Sequence, residues 1–269
     1  MKAKNKKLTY SATILALAAL STESAFAACT PGGTAATSGQ TFPTATTVNC
    51  TGVITGGDPL IKDNNLRYYL NKNGDLNITA NSLDFGNYDL YGGPAPNSDP
   101  GFNSIFTGSG IKANNTRPNA GAAPSPANRQ GNGIIHIVSW SSGGDASLDI
   151  DSSSITTIYG QGLAAHAVND TGNATLTVKN TNVTLEGDGG TTPLGNALIS
   201  FTGGKPGSTT ASTGTAKLTL TGSTITKKAV PSTDPNAAVY LTGGSTDFQQ
   251  TGGNVESTST AGVGVRSAT

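Results

Sequence analysis

A nine-residue unit recurs five times in this chain, and it constrains the fold more than any other feature of the sequence. The unit is apolar at its first, third and eighth positions and has small or polar residues between them. Its copies cover residues 76–84, 148–156, 176–184, 218–226 and 248–256. A single copy cannot bury its apolar face, whereas stacked copies can, so the repeat predicts a solenoid.

The apolar spacing within the unit indicates two short strands joined by a bend. Positions one and three lie on one face of a strand, because side chains alternate with a period of two. Four small or polar residues then precede position eight, so we expect the chain to bend before the second strand. The residues expected to point inward in three of the copies are Leu148, Ile150, Ile155, Leu176, Val178, Val183, Leu218, Leu220 and Ile225.

A further apolar element follows each unit, which gives every coil about three short strands. Such elements cover residues 162–168, 196–201, 236–241 and 262–265, and residues 102–108 are interpreted as another. No run after residue 28 has the apolar spacing of an amphipathic helix. We therefore predict an all-β fold, a parallel β-helix of roughly seven or eight coils stacked about 4.8 Å apart.

The first 27 residues have the features of a secretory signal peptide. Four lysines between residues 2 and 7 precede the apolar segment Ile14–Leu20, which is too short to span a bilayer. Ala25 and Ala27 give the small-x-small pattern of a cleavage site, so cleavage is predicted after Ala27. The mature chain is therefore expected to be exported.

The chain has two cysteines, Cys29 and Cys50, and both lie near the predicted mature N-terminus. A disulfide between them is expected in an oxidising compartment. It would close a loop of about 22 residues, which the chain-entropy model values on the order of 3 kcal/mol. We predict a disulfide-stapled cap over residues 28–57, followed by β-helix repeats over residues 58–269. Lipidation of Cys29, or a redox or metal-binding cysteine pair, is the alternative.

The titratable residues do not form an evident catalytic site. Asp149 and Asp151 are the closest carboxylate pair, but Leu148 and Ile150 occupy the inward face, so both carboxylates are expected to face solvent. His136 and His166 lie about one coil apart, where they could stack and bind a metal or move protons. A histidine facing solvent or bonded to the backbone is the favoured interpretation. No catalytic, cofactor-binding or metal-binding residue is assigned, and no enzymatic activity is expected.

With its export signal, its repeats rich in Gly, Asn, Ser and Thr, and its strand–bend–strand unit, the chain resembles the passenger region of bacterial autotransporters. The resemblance extends from about Val53 to the end of the sequence. It implies a right-handed parallel β-helix that is exported through the periplasm to the cell surface or released. It also implies an adhesin-like role, with host-cell or matrix proteins, glycans or sister copies as partners.

Passengers of this family are carried by a C-terminal outer-membrane barrel, and no barrel strands are evident in this sequence, so an N-terminal fragment is expected. The alternative function is that of a secreted polysaccharide lyase or glycoside hydrolase, which requires Asp, His and Arg to converge in one groove. The formal net charge is zero, which gives no electrostatic basis for binding nucleic acid. No cofactor is expected.

Overall fold

The structure is a computed structural model that describes part of the chain. It describes residues 28–30, 40–42, 46–54, 66–71, 76–85, 89–94, 101–115, 133–139, 141, 143–157, 161–168, 171–186, 195–203, 212–228, 236–258 and 263–267. The predicted signal peptide and its cleavage position, Ala27, lie outside these residues. Within them, the regular elements are β-strands and no helix occurs, which confirms the all-β prediction.

The described strands are short, with three to ten residues each. In chain order they are β1 Ala28–Thr30, β2 Gln40–Phe42, β3 Thr46–Ile54, β4 Leu66–Asn71, β5 Leu76–Phe85, β6 Asp89–Pro94, β7 Ser104–Ser109, β8 Lys112–Asn115, β9 Gly133–Ser139, β10 Ala146–Asp151, β11 Ser154–Thr157, β12 Gln161–Ala167, β13 Ala174–Lys179, β14 Asn182–Leu185, β15 Leu198–Thr202, β16 Thr215–Thr221, β17 Thr224–Lys227, β18 Val239–Gly243, β19 Ser245–Thr251, β20 Asn254–Ser257 and β21 Val263–Ser267.

Parallel pairing arranges these strands in three ladders. Ladder A consists of β3, β5, β7, β10, β13, β16 and β19, and ladder B consists of β5, β8, β11, β14, β17 and β20. Ladder C consists of β2, β4, β6, β9, β12, β15, β18 and β21. Strand β5 belongs to ladders A and B because it continues through the bend. This arrangement is consistent with the predicted parallel β-helix.

Each coil passes through ladders C, A and B in that order. Coil 1 contains β2 and β3, coil 2 contains β4 and β5, and coils 3 to 7 contain three strands each, from β6 to β20. Strand β21 pairs with β18 and begins an eighth coil. The described strands therefore agree with the predicted number of coils.

The four later copies of the nine-residue unit stack in register. Leu148 lies opposite Leu176, Leu176 opposite Leu218, and Leu218 opposite Phe248. Leu148, Leu176 and Leu218 are fully buried, and Phe248 packs against the same core from the last described coil of ladder A. The predicted alignment and the predicted inward face of these copies are confirmed.

The first copy stacks two residues away from its predicted alignment. Leu76 lies opposite Ser104, while Ile78 lies opposite Phe106, which in turn lies opposite Leu148. The alignment of Leu76 with Leu148 is therefore wrong. Leu76 and Ile78 are both buried on the same side of β5. A shift of two residues keeps the same side chains inward, so the alternation of side chains could not distinguish the predicted register from the observed one.

Two further copies of the unit have weak apolar signals and were not predicted. Residues 102–108, predicted to be an element like those of ladder C, instead contribute to β7 of ladder A. There Gly108 takes the third position of the unit, where other copies carry Ile150 or Val178. The other copy is β3, in which Val48 pairs with Ile78, so ladder A begins before residue 58.

The bend inside the unit depends on a left-handed backbone residue at position five. Glycine adopts a positive φ without steric cost, whereas other residues adopt it at a cost and asparagine does so more readily than most. The residues with positive φ at this bend are Ser82, Gly110, Ser152, Asn180, Gly222 and Gly252, with φ between 46° and 65°. This requirement explains why small and polar residues separate positions three and eight.

A buried stack of hydroxyl groups follows the bend and joins neighbouring coils. The Ser153 Oγ accepts a hydrogen bond from the Ile111 backbone N–H, and the Thr181 Oγ1 accepts one from the Ser153 N–H. The Ser223 Oγ accepts the next bond, from the Thr181 N–H. The Thr181 hydroxyl also donates to the Lys179 carbonyl of its own coil at 2.6 Å. The hydroxyl at position six of the unit therefore links the bend of one coil to the bend of the next by a hydrogen bond.

We expect the substitution Leu176→Ala to lower the free energy of unfolding by about 2–5 kcal/mol, because it leaves a cavity between Leu148 and Leu218. Thr177→Ala, on the outer face of the same strand, is the control and should change it by less than about 0.5 kcal/mol. Urea-induced unfolding followed by circular dichroism measures both. Equal losses for the two variants would contradict the inward placement of Leu176.

We expect Thr181→Val to lower the free energy of unfolding by about 1–3 kcal/mol, because it leaves the buried N–H of Ser153 without an acceptor. Thr184→Val is the matched control, since Thr184 is half-buried in the second strand of the same unit. The same denaturation experiment compares them. A cost no larger for Thr181→Val than for Thr184→Val would exclude a structural role for the hydroxyl stack.

Candidate functional site

The outward side chains of ladder A form a continuous polar surface across coils 2 to 7, here called the polar face. All of its side chains are half-buried or exposed, and Ile105 is its one apolar member in these coils. The polar face consists of Asn77, Thr79, Asn81, Ile105, Thr107, Ser109, Ser147, Asp149, Asp151, Thr175, Thr177, Lys179, Lys217, Thr219, Thr221, Asp247, Gln249 and Thr251.

In-register pairing gives the polar face three regular columns. The middle column runs from Thr79 through Thr107, Asp149, Thr177 and Thr219 to Gln249. Neighbouring members lie about 4.8 Å apart along the stack, because each column takes one residue from each coil. Threonine has a restricted χ1 angle, so its hydroxyl is held in few orientations. The columns therefore present ordered hydrogen-bonding groups to any partner.

Two ion pairs join neighbouring coils on the polar face. Lys179 Nζ lies 3.3 Å from Asp149 Oδ2, and Lys217 Nζ lies 3.4 Å from Asp247 Oδ2. All four side chains are about 40% exposed, so each pair contributes at most about 1 kcal/mol to stability. The charges of these pairs offset each other, so the polar face carries little net charge.

Asp149 and Asp151 lie on the polar face, which confirms that both point outward. Hydrogen bonds from the Asn180 Nδ2 and the Ser152 Oγ to Asp151 lower the pKa of its carboxyl below the ordinary value. A carboxyl with a lowered pKa is ionised at neutral pH. Asp151 is therefore unsuited to donate a proton as a general acid there.

His136 and His166 meet on the outer side of ladder C. Their rings share a hydrogen bond of 2.9 Å between His136 Nε2 and His166 Nδ1, and they are 4% and 6% exposed. The expectation that these histidines face solvent is therefore wrong, because both rings are buried. The two histidines are not directly opposite in register, because His136 pairs with Ala164 and His166 with Val138. Their contact is diagonal, which spacing along the sequence did not indicate.

The histidine pair is buried among apolar side chains. Ala164, Ile199 and Phe201 form a buried cluster separate from the main core, and the His166 ring meets Phe201 edge-on with centroids 5.4 Å apart. Burial lowers the pKa of His166 to about 4, and burial together with His166 lowers the pKa of His136 well below its ordinary value. Both rings are therefore neutral at neutral pH.

The described residues do not bring the candidate aspartates and histidines together. Asp149 and Asp151 lie in ladder A, whereas His166 lies in ladder C and is buried. Among the described parts of the chain, no group of three or more His, Cys, Asp or Glu side chains could hold a metal ion. The convergent groove that polysaccharide cleavage would need is therefore not formed by these three residues.

Cys50 is buried and disulfide-bonded, and it lies at the N-terminal end of ladder A. Strand β1 pairs antiparallel with β3 and places Cys29 opposite Cys50, and these are the two cysteines of the sequence. Directly opposed residues of an antiparallel pair lie within the Cα separation that a disulfide needs. The backbone arrangement is thus compatible with the predicted pairing.

We expect Asn180→Gly to raise the pKa of the Asp151 carboxyl towards its ordinary value, because the variant removes the Asn180 hydrogen bond, which is the main cause of the lowered pKa. Glycine retains the left-handed backbone at position 180. The control is Asn182→Ala, which changes an exposed asparagine in β14 and should leave this pKa unchanged. Carboxyl carbon NMR during a pH titration measures both. An unshifted Asp151 in Asn180→Gly would contradict the arrangement.

No family model matches this chain, and neither the curated proteins nor the solved structures contain a match. No helix in the described part of the chain is long and apolar enough to cross a membrane. The resemblance to autotransporter passengers stays a prediction, and the polar face is the feature from which a function can be argued.

Proposed function

We propose that this chain is an adhesin-like passenger of the autotransporter type, exported to the bacterial cell surface, whose polar face binds another surface. In this proposal the three ladders form a right-handed parallel β-helix, and the Cys29–Cys50 disulfide staples its N-terminal cap. Binding requires neither a cofactor nor a catalytic residue. The observation that carries the proposal is the unbroken, in-register polar face of ladder A.

The polar face suits binding because its groups are ordered before a partner arrives. Its side chains belong to stacked strands, and its threonines have few rotamers to lose. Binding therefore costs little conformational entropy for each hydrogen bond that forms. Donors and acceptors alternate with small apolar methyl groups, a combination that suits glycans, extended protein segments or a second copy of the same face.

The size of the polar face favours weak contacts that act in large numbers. The polar face is about 20 Å wide, the length of a six-residue strand, and its six coils are stacked about 4.8 Å apart. Its area is therefore roughly 600 Å². Two such faces would bury about 1,200 Å² in total, which is at the lower end of specific protein interfaces. Many copies displayed on one surface would raise the overall strength of attachment through avidity. A face of this size suits cell adhesion or self-association better than a single tight complex.

We expect Thr177→Lys combined with Thr219→Lys to abolish clumping of cells that display the chain, because two like charges in the middle column oppose a second polar face. Thr177 and Thr219 are directly opposed in register. The matched control is Thr184→Lys with Thr226→Lys, an in-register pair in the same two coils on the outer face of ladder B. Sedimentation of displaying cells measures clumping.

Loss of clumping in the ladder A variant alone would support the polar face as the binding surface. Equal clumping in wild type and in both variants would contradict it. Both variants should keep the fold, because surface substitutions of this kind usually change stability by less than about 0.5 kcal/mol. Circular dichroism of each purified variant checks this. Attachment to immobilised matrix proteins and glycans, measured with the same variants, distinguishes adhesion from self-association.

A further inference from the structure

The two ends of the polar face differ in charge. Its charged side chains all belong to strands of coils 4 to 7, and four of them form the two ion pairs between coils. The outward side chains of coils 2 and 3 are uncharged, and β3 continues the first two columns into coil 1. These uncharged residues of coils 1 to 3, here called the neutral end, are Thr47, Asn49, Asn77, Thr79, Asn81, Ile105, Thr107 and Ser109.

The neutral end keeps its polar groups unpaired in the part of the chain that the structure describes. None of its side chains forms a hydrogen bond or an ion pair there. In the charged coils, by contrast, Asp247 accepts a hydrogen bond from Gln249, and Asp151 accepts one from Asn180. Most side chains of the neutral end are also exposed, namely those of Thr47, Asn49, Asn81, Ile105, Thr107 and Ser109. Its amides and hydroxyls are therefore available to a partner.

The neutral end has the regular spacing of stacked strands. In the middle column, Asn49, Thr79 and Thr107 lie about 4.8 Å apart, one in each coil. Neighbouring columns lie about 6.6 Å apart, because their residues are separated by two positions along a strand. Both spacings are close to the length of one sugar unit in an extended glycan chain. Successive sugar units can therefore each contact the polar groups of a different coil.

An apolar residue lies among these polar groups. Ile105 is 36% exposed, lies opposite Asn77 in register and precedes Thr107 by two positions on the same face. A single exposed apolar residue needs no explanation by itself. A sugar ring, however, has C–H faces bordered by hydroxyl groups. An apolar side chain with amides and hydroxyls beside it matches both of these surfaces.

The composition of the neutral end favours an uncharged glycan over a protein or an acidic glycan. Its amides and hydroxyls donate and accept hydrogen bonds, as sugar hydroxyls do. Protein interfaces draw most of their binding energy from Trp, Tyr and Arg, and the neutral end contains none of these. An acidic glycan is recognised by Lys or Arg, which the neutral end also lacks.

We propose that the neutral end binds an uncharged glycan, with the sugar chain running along the columns and Ile105 packing against one sugar ring. Coils 1 to 3 have room for roughly two or three sugar units at about 4.8 Å per coil. This inference rests on the proposed function, because it names the ligand and the location for a face that is proposed to bind another surface.

An array of immobilised oligosaccharides, uncharged, sulfated and carboxylated, tests the proposal with the full chain. We expect binding to at least one uncharged oligosaccharide. Its affinity should change by less than about twofold between about 50 mM and about 500 mM NaCl, because no ion pair contributes to it. Binding to sulfated or carboxylated glycans alone, or to nothing on the array, would overturn the proposal.

The variant Asn77→Ala with Thr107→Val removes an amide and a hydroxyl beside Ile105. It should weaken binding of the same oligosaccharide by about 10-fold or more, because two hydrogen bonds to the ligand are lost. The matched control is Asn182→Ala with Thr184→Val, which removes an amide and a hydroxyl from the outer face of ladder B and should leave the affinity unchanged. Equal affinity in both variants would overturn the proposal.

The clumping assay separates this proposal from the proposed function. Thr177 and Thr219 lie in coils 5 and 6, outside the neutral end. Loss of clumping in the lysine variant of these two residues, in a chain that binds no uncharged oligosaccharide, would overturn the glycan site and leave the proposed function standing.

Discussion

The stacking of apolar residues in one coil directly on those of the next is the interaction on which the rest of this structure depends. Leu148, Leu176 and Leu218 are buried in one row because their strands pair in register. A slip of one residue would move each row to the outer face and the polar residues to the core. The hydroxyl stack of Ser153, Thr181 and Ser223 opposes such a slip, because each hydroxyl accepts the N–H of a residue in the adjacent coil.

The sequence predicts this stacking wherever the repeated positions are large and apolar, as in the copies that contain Leu176 and Leu218. It fails where small residues take those positions, because Gly108 in β7 and Ala80 in β5 give little apolar signal. The outward placement of Asp149 and Asp151 follows from alternation along one strand. The spacing of His136 and His166, about one coil apart, allows the two rings to stack. The diagonal geometry of their contact cannot be predicted, because it depends on a register that no local pattern specifies.

The same register organises two chemically different surfaces. On ladder A it aligns half-exposed threonines, asparagines and paired charges into the polar face, which supports the proposed binding function. On the outer side of ladder C it brings two buried histidines into contact near the buried cluster of Ala164, Ile199 and Phe201. A fold built from one repeated unit can therefore carry a polar surface and a buried polar contact on separate ladders, because each ladder's outward residues vary without disturbing the core.

Distances between spin labels along one column of ladder A test the stacked coils most directly. Asn49, Thr177 and Gln249 lie in the same column, in coils 1, 5 and 7. Labels at cysteines that replace Asn49 and Thr177 should lie about 19 Å apart, and those that replace Asn49 and Gln249 about 29 Å apart, because each coil adds about 4.8 Å. Narrow distributions near these values are the predicted result. Broad distributions, or equal distances for the two pairs, would contradict in-register stacking.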